Sequence, residues 1–135
     1  MERHREAARV LHESTLRLNQ TLERAEKALS GLHLGVNARI QIETHKPGWK
    51  RFLSFQKDGH EWKLMIHTGP EDGTEEMQET PLIHTSRASR AGALQHLPKL
   101  MEALVCAAEE QAKIMELEMG YAEAFISTLE RGVAR

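Results

Sequence analysis

Aromatic residues are scarce in this chain: two tryptophans, one tyrosine and three phenylalanines make up 4% of its 135 residues. A hydrophobic core must therefore be built mainly from leucine, isoleucine, methionine and alanine, a composition that favours helices. A chain of this length fits one domain and can bury roughly two thirds of its unfolded surface without a disulfide or a structural metal. We predict a single domain over residues 1–135.

Cysteine is also scarce, and long apolar segments are absent from the sequence. Cys106 is the only cysteine, so no intramolecular disulfide can form and nothing indicates an oxidising compartment. The N-terminal sequence MERHREAARV is charged from its second residue, and no apolar run approaches the ~18 residues that span a membrane. We therefore expect a cytoplasmic protein that does not associate with membranes.

Recognisable catalytic signatures are missing as well. The sequence HESTL, residues 12–16, begins like a zinc-protease helix but has leucine where the second histidine is required. No glycine-rich phosphate loop, nucleophile elbow or Cys-x-x-Cys pair occurs, and Cys106 is better explained as a small buried hydrophobe than as a nucleophile. We predict no enzymatic activity, no cofactor and no metal. The remaining enzymatic alternative is an unrecognised site around His45 and His67.

The first thirty residues have a regular apolar period. Small or apolar residues recur every three or four positions, which is typical of the seam of a coiled-coil-like helix. Ser30-Gly31 supplies the flexible residue expected just past a helix end. We predict a helix over residues 1–31. The seam residues are Ala8, Leu11, Thr15, Leu18, Leu22, Ala25, Leu29 and Leu32.

Residues 36–68 carry the pattern of a three-stranded antiparallel β-meander. Apolar and polar residues alternate from Val36 to Glu43, as in a strand with one buried face. Pro47-Gly48 suits the centre of a type II turn, and Asp58-Gly59 is a strong hairpin signal. Pairing Lys46 with Trp49 and Lys57 with His60 predicts two apolar cross-strand rows, Ile40-Phe55-Trp62 and Ile42-Leu53-Leu64.

The second half of the chain is predicted to be a loop followed by two helices. Residues 69–82 are acidic and aperiodic, so we predict an exposed loop. Thr85 or Ser86 can cap a short helix over 86–97, and Pro98 suits the first turn of a long helix over 98–131. The predicted fold is α+β with the order α-β-β-β-α-α. The two long helices exceed the length of the strands, so we expect coiled-coil-like pairing, within one chain or between two.

Basic residues and histidines gather on the meander. With the predicted register, His45, Lys50 and His67 form one row on the face opposite the apolar one, and Phe52 lies opposite Met65 on that same face. The row could bind an anion, could bind a metal only against the repulsion of Lys50, or could be a solvated polar face. The apolar pair is either covered by the protein itself or is the centre of a binding patch. The candidate residues for binding a partner or an anion are His45, Lys50, Phe52, Lys63, Met65 and His67.

A nucleic-acid interface is the alternative for the meander. Residues 36–68 carry six basic and three acidic residues, and aromatic and basic side chains on a sheet can stack bases and meet phosphates. The sequence pI of about 6.4 and the acidic segment that follows weigh against it. The candidate nucleic-acid contacts are Lys46, Lys50, Arg51, Lys57 and Lys63.

The order of a long helix, the meander of residues 36–68 and a second long helix resembles the arrangement in the YbaB family of nucleoid-associated proteins, which are small bacterial dimers with DNA-binding roles. The resemblance covers element order and no motif, and the helix over 86–97 departs from it. We predict a non-enzymatic interaction or scaffold protein that is homodimeric and binds a protein partner through the outer sheet face or the helical stalk. The alternative is a nucleoid-type protein that uses the basic meander.

Overall fold

Long helices at each end of the chain flank a four-stranded antiparallel sheet in the computed structural model, which describes residues 1–133. The fold is α+β, as predicted, and the strand order is β1-β2-β3-β4. Residues 134 and 135 of the predicted domain lie outside the described residues. The elements are α1 (Glu2–Gly31), β1 (Ala38–Ile42), β2 (Trp49–Asp58), β3 (Glu61–Pro70), β4 (Gln78–Pro81), a 3-10 turn (Leu82–His84), α2 (Arg87–Leu94) and α3 (Leu97–Val133).

The fourth strand lies within the segment predicted to be an acidic loop. Gln78 to Pro81 pair with β3, so that Pro81 lies opposite Met65. The three-strand prediction is therefore wrong, and the strand-free part of the predicted loop shrinks to residues 71–77. A four-residue edge strand has too few residues to show a period, and its edge position tolerates the proline.

The hairpin turn between β2 and β3 is displaced from the predicted one. Asp58 pairs with Glu61, so Gly59 and His60 occupy the two central positions. Only Gly59 of these two has a positive φ, 66°, which is the combination that a type II′ turn requires. The register predicted from an Asp58-Gly59 turn is therefore wrong by two residues. Because the displacement is even, every side chain keeps its predicted face.

The Pro47-Gly48 turn forms as predicted, but the pairing of β1 with β2 is also displaced by two residues. The Trp49 N–H donates to the Lys46 carbonyl at 3.2 Å, and Gly48 has a φ of 77°, as in a type II turn. The observed apolar rows are Ala38-Phe55-Leu64 and Ile40-Leu53-Ile66, in place of Ile40-Phe55-Trp62 and Ile42-Leu53-Leu64.

The core lies between one face of the sheet and the helices. Leu22 of α1 packs with Leu100 and Leu104 of α3 against Leu53 and Leu64 of the sheet, and all five are buried. Full burial of one such leucine contributes about 1.5–3 kcal/mol to folding. The leucine-based core that the scarcity of aromatic residues predicts is therefore the one that forms.

The short helix α2 closes one end of this core. Ser86 caps it, since the Ser86 hydroxyl accepts the Ser89 N–H at 3.2 Å. The helix ends at Leu94, three residues before the predicted end of the 86–97 helix, and α3 begins at Leu97. Ala93 of α2 is buried in the core.

The helices α1 and α3 run in the same direction across the sheet. Leu29, near the end of α1, lies beside Leu104 of α3 and Trp62 at the sheet end that carries the β2–β3 turn. The start of α3 follows α2, which lies against Ile42 and Arg51 at the opposite sheet end. Residues 1–14 and 109–133 are exposed and extend from opposite ends of the molecule. An intramolecular stalk of the two overhanging segments therefore does not form.

Glu26 of α1 covers an open edge of the sheet. Strand β4 ends opposite Met65, and beyond that point the Leu64 N–H donates to Glu26 Oε1 at 3.2 Å. Burial raises the pKa of the Glu26 carboxyl, an effect that the Leu64 N–H and nearby Lys63 partly offset. This bond ties α1 to the sheet edge by a polar contact.

Candidate interaction surfaces

A buried polar network lies at the centre of the outer face, the sheet face that points away from the helices. The Nε2 atom of His67 on β3 lies 2.8 Å from the Ser54 Oγ and 2.9 Å from the Gln56 Oε1 on β2. Ser54 is only 2% exposed and His67 only 5%. The network is therefore built into the sheet. The outer face includes Arg39 of β1, Lys50, Phe52, Ser54 and Gln56 of β2, and Lys63, Met65 and His67 of β3.

The two ring nitrogens of His67 face different neighbours. Its Nδ1 lies 3.4 Å from the Glu79 carboxylate on β4. Burial lowers the pKa of His67, and Arg39 lowers it further against the opposing effect of Glu79, so the ring is neutral at neutral pH. The Ser54 hydroxyl donates to Gln56 Oε1 at 3.0 Å, so Ser54, Gln56 and the His67 Nε2 atom form a closed triangle of polar contacts.

Ser54, His67 and Glu79 have the residue types and the order of contacts of a hydrolase triad. A nucleophile must reach its substrate, and Ser54 is closed off by its neighbours. The backbone around Ser54 takes part in the central strand pairing, whereas an oxyanion needs free N–H donors. The geometry therefore supports a structural role, in which one network joins β2, β3 and β4.

Positive charge lies against aromatic rings beside this network. The Arg39 guanidinium lies 4.4 Å from the centre of the Phe52 ring, and the Lys50 ammonium lies 6.0 Å from it. In the turn before β2, the Lys46 ammonium lies 3.8 Å from the centre of the Trp49 ring. Cation–π attraction holds these long side chains over the rings. The outer face therefore presents a partly exposed basic and aromatic cluster of Arg39, Lys50 and Phe52.

The predicted row of His45, Lys50 and His67 does not form. Lys50 lies opposite Gly69, and His67 lies opposite Phe52. His45 is in the loop after β1 and lies near α2, at a groove that it shares with residues 88–96. The row prediction is wrong because the pairing of β2 with β3 is displaced by two residues and the ladder between β1 and β2 stops at Ile42, before it reaches His45.

Two other predicted partner-binding residues have neighbours that limit their access. Met65 lies opposite Ser54 rather than Phe52 and is buried, so the predicted Phe52–Met65 pair is wrong. The Lys63 ammonium lies 3.8 Å from the carboxylates of Asp58 and Glu61. Of the apolar residues predicted for this patch, only Phe52 remains partly exposed.

The basic residues of the nucleic-acid hypothesis do not share one surface. Side chains alternate along a strand, so Lys50 lies on the outer face whereas Arg51 and Lys57 lie on the helix-covered face. Arg51 donates to the Ser89 hydroxyl of α2 at 3.1 Å. The sheet therefore divides this set of charges between its two faces.

The distal part of α3, residues 109–133, is an exposed helix that we call the α3 tail. At 1.5 Å per residue it extends roughly 37 Å. Leu117, Tyr121 and Phe125 are 61%, 69% and 64% exposed, and contiguous apolar surface of this kind marks interaction sites. At the base of the tail, Cys106 is exposed, so its predicted burial is wrong. The large apolar residues of the tail are Ile114, Met115, Leu117, Met119, Tyr121, Phe125, Ile126, Leu129 and Val133.

A shallow apolar groove lies between α1 and α2, at the end of the molecule from which α3 runs away. It encloses about 360 Å³. Within the described chain, Arg87 is the one charged side chain that lines it, and most of the others are small. We call it the α1–α2 groove, lined by Leu11, Ser14, Thr15, Leu18, Arg87, Ala88 and Ala91.

Sequence reasoning missed the roles of Ser54 and Gln56 and the α1–α2 groove. The alternation along the strands already placed Ser54, Gln56 and His67 on one face, so an even-numbered shift of register would have brought them together. The groove had no comparable signal, because it depends on how two helices approach each other.

Among residues 1–133, no three histidine, cysteine, aspartate or glutamate side chains converge closely enough to hold a metal ion. None of the helices in that range is both long and apolar enough to cross a membrane. The chain matches no protein-family model, no curated protein and no solved structure.

Proposed function

We propose that this protein is a non-enzymatic interaction protein that forms a homodimer through the α3 tail and binds a protein partner through its outer sheet face. The observation that carries this proposal is the exposed apolar stripe of the tail, which includes Tyr121, Phe125 and Leu129. A helix that is apolar along one side needs a surface to pack against. No such surface is supplied to the tail by the rest of the described chain.

The size of the stripe is comparable to what association requires. Complete burial of one large apolar side chain is favourable by about 1.5–3 kcal/mol. Association costs on the order of 4–15 kcal/mol in lost rotational and translational freedom. Partial burial of most of the nine large apolar tail residues is therefore of the same order as that cost.

The outer sheet face supports binding of an acidic protein surface. Arg39 and Lys50 place positive charge around the partly exposed Phe52 ring, and an aromatic residue flanked by arginine is typical of binding hot spots. The buried contact between Ser54 and His67 beside them joins β2 to β3.

The molar mass in solution tests the homodimer. We expect twice the 15.3 kDa of one chain by light scattering. A double variant, Phe125→Glu with Leu129→Glu, should be monomeric with unchanged helix content, whereas Lys113→Ala, on the polar side of the tail, should remain dimeric. A wild-type protein that stays monomeric at high concentration would remove the proposal.

Nucleic-acid binding is the second candidate, and the cluster of Arg39, Lys50 and Phe52 favours it because single strands bind to basic grooves with stacking rings. A salt titration of binding to duplex and single-stranded DNA tests it. A steep loss of affinity with salt, abolished by Phe52→Ala with Lys50→Ala, supports this function. No binding at low salt removes it.

A further inference from the structure

We propose that the α1–α2 groove is the docking site for the α3 tail of a second copy of this chain. The inference rests on the proposed homodimer and names the surface on which the tail lies. Its alternatives are a dimer held by tail-to-tail contact and a dimer held by other surfaces.

The groove and the tail of one chain cannot meet. Because α1 and α3 run in the same direction, α3 starts at the sheet end where α2 lies and leaves the molecule at the end that carries the β2–β3 turn. A continuous helix of 37 residues does not turn back. An occupant of the groove with the sequence of the tail must therefore come from another molecule.

The shapes of the two surfaces are complementary. The groove is lined mainly by small side chains, including Ser14, Ala88 and Ala91. The tail carries large ones, and Tyr121 and Phe125 are among its most exposed. Large side chains of one helix pack into the spaces that small side chains leave on another.

Charge also favours the groove over a tail-to-tail contact. The tail carries six glutamates against Lys113 and Arg131, so two tails side by side would repel each other. The helix α2 carries no acidic residue, and its Arg87 lines the groove. The tail and the groove therefore attract each other.

Glu118 also favours docking in the groove over a tail-to-tail contact. It lies three residues after Met115 and four before Ala122, so the helical period places it within the apolar side of the tail. A carboxylate buried in a tail-to-tail seam without a cation would be costly. In the groove, Arg87 supplies a cation at the rim of an otherwise apolar surface.

The proposed contact between tail and groove can form twice in one symmetric dimer. Each chain has one tail and one groove, so a two-fold axis lets both tails dock at once, each antiparallel to the α1 of the other copy. Such a reciprocal contact gives a closed dimer, whereas one-way docking would give an open filament.

Disulfide trapping tests the docking site. In a Cys106→Ser background, which removes the one native thiol, one chain carries Ala91→Cys in the groove and another carries Phe125→Cys in the tail. After mixing, the mixed disulfide should form at least about tenfold faster than with Thr74→Cys in the exposed β3–β4 loop as the control for Ala91→Cys, because docking raises the effective thiol concentration. Disulfide formation by Phe125→Cys alone should be as slow as in the control.

The outcomes separate the docking site from the homodimer itself. A dimer in which Phe125→Cys pairs rapidly with itself, and not with Ala91→Cys, overturns the groove and leaves the homodimer standing. A second variant, Arg87→Glu, should raise the dimer dissociation constant at low salt, and an unchanged constant also counts against the groove. A monomeric wild-type protein overturns both the groove and the homodimer.

Discussion

The imidazole of His67 and the hydroxyl of Ser54 are joined across two strands at 2.8 Å, in a place where both side chains are buried. Such a contact inside a sheet constrains the register, because a shift of one residue would turn His67 toward the helices. The Glu79 carboxylate, 3.4 Å from the other ring nitrogen, extends the same constraint to the edge strand β4.

Stability should fall in mild acid because of His67. Burial lowers its pKa below the usual 6.5, so between the two values the unfolded chain binds more protons than the folded one. The contribution is fully present above pH 6.5 and is lost as the pH drops through the lowered pKa. Urea unfolding at a series of pH values should show this loss of unfolding free energy. In the His67→Gln variant, the part of the loss that is due to His67 should disappear. His4→Gln, in the exposed start of α1, is the matched control, and an identical acid dependence in the His67 variant would contradict the account.

Glu26 should contribute through its hydrogen bond rather than its charge. Burial raises its pKa, so the folded state prefers the protonated carboxyl, and its effect on stability is lost as the pH rises from about 4.5 through the raised value. Glu26→Gln can still accept the Leu64 N–H and should be as stable as the wild type at neutral pH or more so. Glu26→Ala leaves that N–H without its partner and should cost about 1–3 kcal/mol. Equal unfolding free energies for the two variants would argue against this bond.

The leucine core should respond much more strongly to truncation than the tail. Leu53 is fully buried, so Leu53→Ala should lower the free energy of unfolding by about 2–5 kcal/mol. Leu117→Ala, in the exposed tail, should change the stability of the monomeric Phe125→Glu, Leu129→Glu protein by less than about 0.5 kcal/mol. Both values follow from chemical denaturation at one protein concentration. A loss of similar size at Leu117 would mean that the tail packs within the chain.

The helices and the faces of the strands were predictable from sequence because they depend on local periods. The alternation that placed Leu53 and Phe55 on the buried face is set by strand geometry and holds in the structure. The register was not predictable from sequence, because it depended on whether Asp58 or Gly59 is the first central residue of the turn. A two-residue displacement keeps each side chain on its predicted face of the sheet but changes its partner on the neighbouring strand. The predicted row containing His45 and His67 therefore did not form.

Features that depend on contacts between distant segments were less accessible to sequence analysis. Strand β4 is set by pairing with β3 and not by its own composition, and the N–H that Glu26 accepts becomes available only because β4 is short. The apolar side of the α3 tail is visible in the sequence, since Ile114, Leu117 and Tyr121 recur at helical spacing. That spacing does not identify a surface that covers them.

Hydrogen–deuterium exchange of the α3 tail tests the homodimer most directly. A solvent-exposed helix exchanges its amide hydrogens quickly, and docking of the helix slows that exchange. We predict that residues 109–133 are protected at high protein concentration and lose protection on dilution, while the strands around Leu53 stay protected throughout. Tail exchange that is rapid and independent of concentration would contradict the account.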